Sequence, residues 1–418
     1  MNIDFITIIS LGISYLTIYS VIYFLYIYLF KNNEREHTLF MRDVSIIIPV
    51  HNEENNIGRA IESLINQDYK GNIEVLVLDD GSTDNTKQIV KAYPQAKYYQ
   101  ITKPGSPQGK TKTVNQGIKL TKNEIIGVLD ADSYMDKNAI RNMVGEFEND
   151  KTGAVVPIVK VDNPKHFLER MQVIEYTLSM CIRKLVSNTG SLFMTHGVGT
   201  LFNKKALKKA GYFKEDTLTE DLNIGLKLIK AGYNIKSSFK AIGYTQVPKT
   251  LKHVVKQRLR WNGGLFENSY WHKDMYFNKS YGNLGLFVMP FNLAWSGITV
   301  YVAALWIKDL IKDISLSLRD LIITNFDWSY FITSKLRALL SMQLNELSII
   351  SILPVIFFLL FYLLVSSRIK MGFKDSLISY LLMPLYFTVF FLISTVTLII
   401  TPAYMKKRGG KPWLTDKV

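Results

Sequence analysis

The sequence predicts an α/β domain with a mostly parallel, doubly wound sheet, flanked on both sides in sequence by transmembrane helices. Three observations carry this expectation. Apolar, β-branched runs such as VSIIIPV (44–50) and IEVLVLDD (73–80) each end in a polar loop, and a segment of helical period follows. That alternation marks strands buried on both faces and joined by crossover helices. Charge-free stretches of membrane-spanning length lie at 5–30 and again beyond residue 283. Finally, 48% of the 418 residues are hydrophobic and only 20% are charged, which excludes a disordered chain.

The elements follow in order. Residues 5–30 hold no charge over 26 positions, about 39 Å of helix at ~1.5 Å per residue, enough to cross a bilayer with tilt. The start, MNID, lacks the basic flank of a secretory signal, so 1–31 reads as a retained anchor. A globular domain then spans 43–275. Its first strand, 44–50, is followed by the polar HNEENN (51–56). A helix over 57–66 places Ile57, Ile61, Leu64 and Ile65 at helical spacing. Residues 73–86 repeat the pattern, with Ser82 or Thr83 as helix cap. Strands are predicted again at 96–101 and 124–132. Transmembrane and interfacial helices occupy 276–405, from the apolar segments 284–306, 347–365 and 376–400, and a basic tail closes the chain at 406–418.

Membrane topology is underdetermined by the charges. Arg368, Lys370 and Lys374 argue for the cytoplasmic side, and so do Lys406, Lys407, Arg408 and Lys411. Both clusters cannot be cytoplasmic if 376–400 is one full span. One segment is therefore expected to re-enter or lie in the interface, with 284–306 and 376–400, interrupted by Pro290 and Pro384, the candidates. The mixed stretch 307–345 would add an interfacial helix.

Fifty Lys+Arg against 35 Asp+Glu give a net charge of +15. That excess suits a membrane protein facing an anionic cytoplasmic leaflet, or a phosphate-bearing ligand. No nucleic-acid module is present, so nucleic acid is not an expected partner. A single cysteine, Cys181, excludes an internal disulfide, and it reads as a small apolar filler. The six histidines are scattered, which leaves little room for zinc.

Ligands of open α/β sheets sit outside the carboxyl ends of the strands, and acidic loops fall there. Asp79-Asp80-Gly81-Ser82 or Asp130-Ala131-Asp132 alone reads equally as a turn with a helix cap. Together they bring at least three carboxylates to one sheet edge, which is costly unless a cation or ligand hydroxyl offsets it. An Asp-X-Asp at a strand end can grip one hard divalent ion, and Mg²⁺ or Mn²⁺ typically bridges to phosphates. The expectation is a metal–diphosphate site. Gly105-Ser-Pro-Gln-Gly109-Lys110-Thr111 is not a P-loop: three residues separate its glycines where the motif needs four, and Pro107 lacks a backbone donor. Lys110 remains a cation for the same diphosphate. Thr219-Glu220-Asp221 also reads as a helix cap, and Gln257-Arg258-Leu259-Arg260-Trp261 as an interfacial anchor.

Taken in order, these motifs resemble the membrane-bound, processive glycosyltransferases of family 2, the cellulose, chitin, hyaluronan and poly-N-acetylglucosamine synthases. The carrying residues are Asp79-Asp80-Gly81, Asp130-Ala131-Asp132, Thr219-Glu220-Asp221 and Gln257-X-X-Arg260-Trp261, with Gly109-Lys110 and Asn115-Gln-Gly117 beside them. The resemblance spans nearly the whole chain, and it implies a GT-A type nucleotide-sugar-binding domain. His51, Asn52, Glu53, Asp79 and Asp80 would border the nucleotide. Asp130 and Asp132 would hold Mn²⁺ or Mg²⁺ on the diphosphate, with Lys110, Gln257 and Arg260 as further donors. Asp221 would be the general base, and direct displacement would invert the anomeric carbon. Trp261, Glu220, Gly199 and Thr200 would meet the acceptor. The implied reaction is polymerisation of a sugar, with N-acetylglucosamine the first guess, from a UDP-sugar into a β-linked polysaccharide. Export across the membrane would accompany it, with a homo-oligomer or an accessory subunit as an option. The alternatives are transfer of one sugar to a lipid or polyprenyl-phosphate acceptor, and a catalytically silent scaffold that binds nucleotide sugar. The tail Arg408-Gly-Gly-Lys-Pro-Trp413 would gate the site or pin the chain to headgroups.

Overall fold

The computed structural model describes residues 41–340, 360, 362 and 373–408. The anchor expected at 1–31, most of the apolar segment 347–365 and the tail beyond residue 408 lie outside them.

Strand β1 (Val44–Val50) leads to α1 (Ile57–Ile65), β2 (Ile73–Asp80) to α2 (Thr86–Lys91), and β3 (Ala96–Thr102) to α3 (Lys110–Leu120), before β4 (Ile125–Leu129). These four pair in parallel in the order β3-β2-β1-β4. Period-two alternation explains why the runs are apolar throughout. Val44, Ile46 and Ile48 of β1 pack with Val75 and Val77 of β2 beneath Ile57, Ile61 and Leu64 of α1. Ile47, Leu76 and Leu78 point the other way and pack against Val114 and Ile118 of α3. The α2 cap expected at Ser82 or Thr83 falls further on: Asn85 precedes the helix, and the Asp84 carboxylate accepts from the Thr86 N–H and hydroxyl.

The second half departs from a doubly wound parallel sheet. Only the acidic turn separates β4 from β5 (Ser133–Met135), too short for a crossover, which takes a dozen or more residues. β5 therefore leaves its predecessor for the far edge of the sheet. After α4 (Ala139–Val144) come β6 (Thr152–Val161), the long α5 (Phe167–Asn188), β7 (Val198–Asn203), α6 (Lys204–Ala210), α7 (Glu220–Lys230) and β8 (Asn234–Thr245). Among the described residues the sheet runs β3-β2-β1-β4-β7-β6-β8-β5. β7 is antiparallel to β4 and β6, and β5 to β8, so the sheet is mixed.

Helix α8 (Leu251–Trp271) leaves this domain. α9 (Met289–Ile323), α10 (Trp328–Leu340) and α11 (Phe373–Arg408) follow. Among the described residues two stretches, Leu284–Ile323 and Leu377–Lys406, are long and apolar enough to cross a membrane. Neither proline breaks its helix as expected: Pro290 sits in the first turn of α9, where its missing N–H costs nothing, and α11 runs on through Pro384. Phe390 and Ile393 of α11 pack on Met171 of α5 and Val254 of α8, fixing α11 against the domain. Cys181 is buried on α5, its Sγ–H directed at the Thr177 carbonyl, as a filler should be.

Candidate active site

The parallel register places Val50 beside Asp79, so the loops after β1 and β2 leave the sheet at one level. They hold each other. His51 Nδ1–H donates to the Asp80 carbonyl at 2.8 Å, and its Nε2 faces the Asn52 amide at 3.3 Å. Asn52 adopts φ +54, its N–H donates to Ser82 Oγ, and its Oδ1 accepts from the Thr83 N–H at 2.7 Å. The Glu53 N–H donates to Thr86 Oγ1.

Strand alternation sends the two aspartates of β2 to opposite faces. Asp79 is 3% exposed and accepts from the Tyr98 hydroxyl at 2.6 Å and the Ser82 N–H at 2.8 Å. It holds the turn from beneath rather than offering its carboxylate to a ligand. Asp80, also buried, accepts from the Gln108 N–H at 3.0 Å, the Gly109 N–H at 2.8 Å and Thr102 Oγ1 at 3.1 Å. The glycine-bearing loop thus spends its backbone donors on a protein carboxylate, as a loop that is not a P-loop can. Its effect is to aim α3, whose first residue is Lys110.

Lys110 Nζ lies 2.6 Å from Asp130 Oδ1 and 3.1 Å from Glu220 Oε1, joining the Asp-X-Asp turn to the start of α7. Burial alone would lower the pKa of this lysine, but the charges of Asp130 and Glu220 outweigh burial and hold it above the ordinary value. Gly197 leaves room for the Asp130 carboxylate: a Cβ there would stand 2.1 Å from Oδ2. Burial, then the Asp130 charge, then that of Glu53, push the Asp132 pKa up to about 6; the Ser133 hydroxyl and Lys110 oppose them. Two carboxylates sharing so much negative charge fit a hard divalent cation. Among the described residues no three carboxylate, imidazole or thiol groups converge on one point, so such an ion would complete its shell with phosphate oxygens and water.

Asp221 follows on the first turn of α7. Its Oδ1 accepts from the Leu222 N–H at 2.8 Å, and its carbonyl accepts from Thr195 Oγ1. Burial and the neighbouring Glu220 push its pKa up to about 6, against the opposing charges of Arg260 and Lys110. For Glu220 itself burial acts upward, but Lys110 and Arg260 prevail and hold it low. The two adjacent acids are therefore split: Glu220 is an ion-pair anchor held low, and Asp221 is held above the usual carboxylate range. Lys110, Thr195, His196, Gly197, Glu220 and Asp221 line one shallow cleft.

The remaining expected residues divide. Arg260 reaches the site through its charge on Glu220 and Asp221. Gln257 Oε1, on the same helix, is buried without a hydrogen-bond partner among the described residues. The Arg258 guanidinium stacks over one face of Trp261 at 4.4 Å. Gly199 and Thr200 lie beneath the cleft wall instead of on it. A Cβ at Gly199 would meet Met135 at 2.6 Å, and Thr200 is wholly buried, its hydroxyl donating to the His196 carbonyl at 2.6 Å. The sheet's alternation buries them, and Thr195, His196 and Gly197 face the cleft in their place.

Sequence reasoning gave no individual role to two partners. His196 Nε2–H donates to the Pro157 carbonyl, while Nδ1 has no partner among the described residues. Burial, then the Arg183 charge, lower its pKa to about 3, so the ring is neutral and Nδ1 is an acceptor. Arg258, treated as a spacer inside its motif, pairs with Glu175 of α5 at 2.5 Å. The i,i+3 relation of Arg258 to Trp261 was the available signal.

Residues 45–211 match the family model "Glycosyl transferase family 2". The chain is 26% identical over 407 residues to a poly-β-1,6-N-acetyl-D-glucosamine synthase of Staphylococcus epidermidis, covering 95% of this chain and 94% of that one. To the synthase of the same name from Staphylococcus aureus strain MSSA476 it is 29% identical, over 64% of this chain and 65% of the other. Among solved structures, a mannosyltransferase from Pyrobaculum calidifontis in complex with GDP-mannose and Mn²⁺ superposes with a TM-score of 0.52 at 19% identity. The match covers 80% of this chain and all of that one, and it supports the shared fold. The globular domain, with its mixed sheet and acidic strand ends, is thus similar to glycosyltransferase family 2 domains over residues 45–211.

Proposed function

We propose that the chain is an inverting, UDP-sugar-dependent glycosyltransferase that polymerises N-acetylglucosamine into a β-linked polysaccharide. The observation that carries this reading is the charge arrangement of the cleft. A carboxyl with a pKa near 6, Asp221, faces the Lys110 and Arg260 cations, with the Asp130–Asp132 turn on the other side of Lys110. Likeness to the synthases over 95% of the chain supports the polymer and the sugar.

In this reading Asp221 takes the proton from the acceptor hydroxyl, and its raised pKa matches that task. Lys110 and Arg260 stabilise the charge on the departing diphosphate. Mn²⁺ or Mg²⁺ held by Asp130 and Asp132 would supply Lewis-acid stabilisation of the same group. No second nucleophile is needed, so the anomeric carbon inverts. Trp261 receives the terminal sugar of the growing chain by stacking. The domain of residues 43–275 faces the cytoplasm, 276–405 lie in and on the membrane with the anchor of 1–31, and the basic tail of 406–418 stays at the headgroups. Synthesis beside the helices delivers polymer across the bilayer, alone, as a homo-oligomer or with an export subunit.

The test is UDP release by the full chain in lipid nanodiscs, with Mn²⁺ or Mg²⁺, a panel of UDP-sugars and product sizing. Release with UDP-N-acetylglucosamine and a long product, both lost in Asp221→Asn, is expected. Release without a long product would replace polymerisation by single transfer to a lipid acceptor. No release with any donor would refute the UDP-sugar reading.

A further inference from the structure

Helix α8 carries Arg260, Gly263, Gly264, Glu267 and Asn268 at spacings of three and four, so they share one face. Adjacent glycines in mid-helix weaken it, and here close approach explains them. A Cβ on Gly264 would stand 2.2 Å from Thr219 Oγ1, and one on Gly263 would stand 2.6 Å from Leu218. The segment ahead of Asp221 therefore lies directly on the thinned helix.

Hydrogen bonds then fasten it. Glu267 Oε2 accepts from Thr217 Oγ1 and from the Leu218 N–H, each at 2.9 Å. Thr217 Oγ1 in turn receives the Thr219 N–H at 3.3 Å. The Asn268 amide donates to Thr219 Oγ1 at 3.2 Å, and its Oδ1 accepts from the Asn223 amide, one turn into α7, at 2.7 Å. Thr217, Thr219, Asn223 and Asn268 are all buried, so water does not substitute for these bonds. Thr219 occupies the cap position of α7, but its side chain caps no N–H of that helix, and its hydroxyl is engaged by α8.

We propose that Gly263, Gly264, Glu267 and Asn268 are positioning residues that clamp the Thr217–Thr219 segment to α8. Asp221 and the Arg260–Trp261 face are thereby held as one rigid unit. The clamp fixes the reach from base to acceptor sugar without touching donor, diphosphate or metal. It rests on the reading of Asp221 as general base.

The experiment compares Gly264→Ala, Glu267→Ala, Glu267→Gln and Asp221→Asn in the full chain in nanodiscs. It measures kcat and donor KM from UDP release, and the melting temperature. A displacement of about 1 Å at a catalytic group costs on the order of 100-fold, so Gly264→Ala and Glu267→Ala should lose about that in kcat. Donor KM should stay near the parent's. Glu267→Gln retains an oxygen that accepts both bonds and should keep most of the activity. Parent-like kcat in both disrupting variants would overturn the clamp. A donor KM that rises as far as kcat falls would also overturn it, as would Glu267→Gln failing as badly as Glu267→Ala. If Gly264→Ala does not fold, the two Glu267 variants still decide. An active Asp221→Asn would instead remove the base assignment, a failure distinct from that of the clamp.

Discussion

Gly197→Ala isolates the acidic turn from the rest of the fold. Gly197 is not among the glycines held at positive φ, so alanine meets no backbone strain there. Its Cβ would stand 2.1 Å from Asp130 Oδ2, 2.6 Å from Cγ and 2.7 Å from Oδ1, where ordinary contact begins at 3.4 Å. The carboxylate must retreat by about 1.3 Å, and it can do so by rotating, because it is the end of a side chain. That retreat breaks its 2.6 Å contact with Lys110 and misdirects an expected metal ligand. Stability should change little, by roughly 1 kcal/mol, since the displaced group is partly exposed. Activity should fall about 100-fold, the scale for misplacing a catalytic group by about 1 Å. UDP release and Mn²⁺ titration by electron paramagnetic resonance, read beside the melting temperature, are the assay. Release within threefold of the parent, with Mn²⁺ affinity unchanged, would refute the claim that Asp130 must sit where Gly197 lets it.

Further outcomes concern pH, Asp80 and Arg258. The base must be ionised, so kcat/KM should fall as pH drops below about 6, where Asp221 protonates. Asp132 adds a second proton to that limb at low Mn²⁺, and saturating Mn²⁺ should remove it; a limb unaffected by metal would exclude Asp132 as a ligand. Because both folded-state values lie above those of the unfolded chain, folding binds protons between about pH 4 and 6, and these carboxyls cost stability at pH 7. Asp221→Asn should therefore melt no lower than the parent at pH 7, and a clear drop would contradict the raised pKa. Asp80→Asn places an amide donor against the Gln108 or Gly109 N–H, costing about 1–3 kcal/mol. Donor KM should rise as Lys110 loses its aim, which initial rates against UDP-sugar concentration will read. Arg258→Ala leaves Glu175 unpaired and uncovers Trp261, costing about 3–5 kcal/mol in the buried limit and less here because Glu175 is partly exposed. Thermal unfolding should show that loss, and an unchanged melting temperature would refute the pairing.

What the sequence made legible follows from period and chemistry. β1, β2 and β4 could be read because burial on both faces demands unbroken apolar runs, and the acids that end such runs can lie only at the sheet's edge. β8 could not: Asn234–Thr245 mixes polar and apolar residues, since its cross-strand partners rather than its own pattern decide its place. The antiparallel course of β7 was hidden for a different reason. Motifs record which residues are near one another, and a strand contributes the same loop to the cleft whichever way it runs.

The site divides along the same line. Charges that face a ligand, Lys110, Asp130, Glu220, Asp221 and Arg260, could be anticipated because their chemistry is needed there. What holds them could not. Asp79 and Asp80 look alike in sequence, yet one-residue alternation turns the first onto Tyr98 and the second onto the Gln108–Gly109 backbone. Thr200 of β7 and His196 of the loop before it are four residues apart, and burial separates the hydroxyl that closes a turn from the imidazole that faces the cleft. Glu267 looks like any surface acid on a helix until its two 2.9 Å bonds to Thr217 and Leu218 are seen. The reacting groups of this cleft are written as motifs, whereas their precision comes from residues such as Gly197, Gly264 and Glu267, each placed by a neighbour distant in sequence.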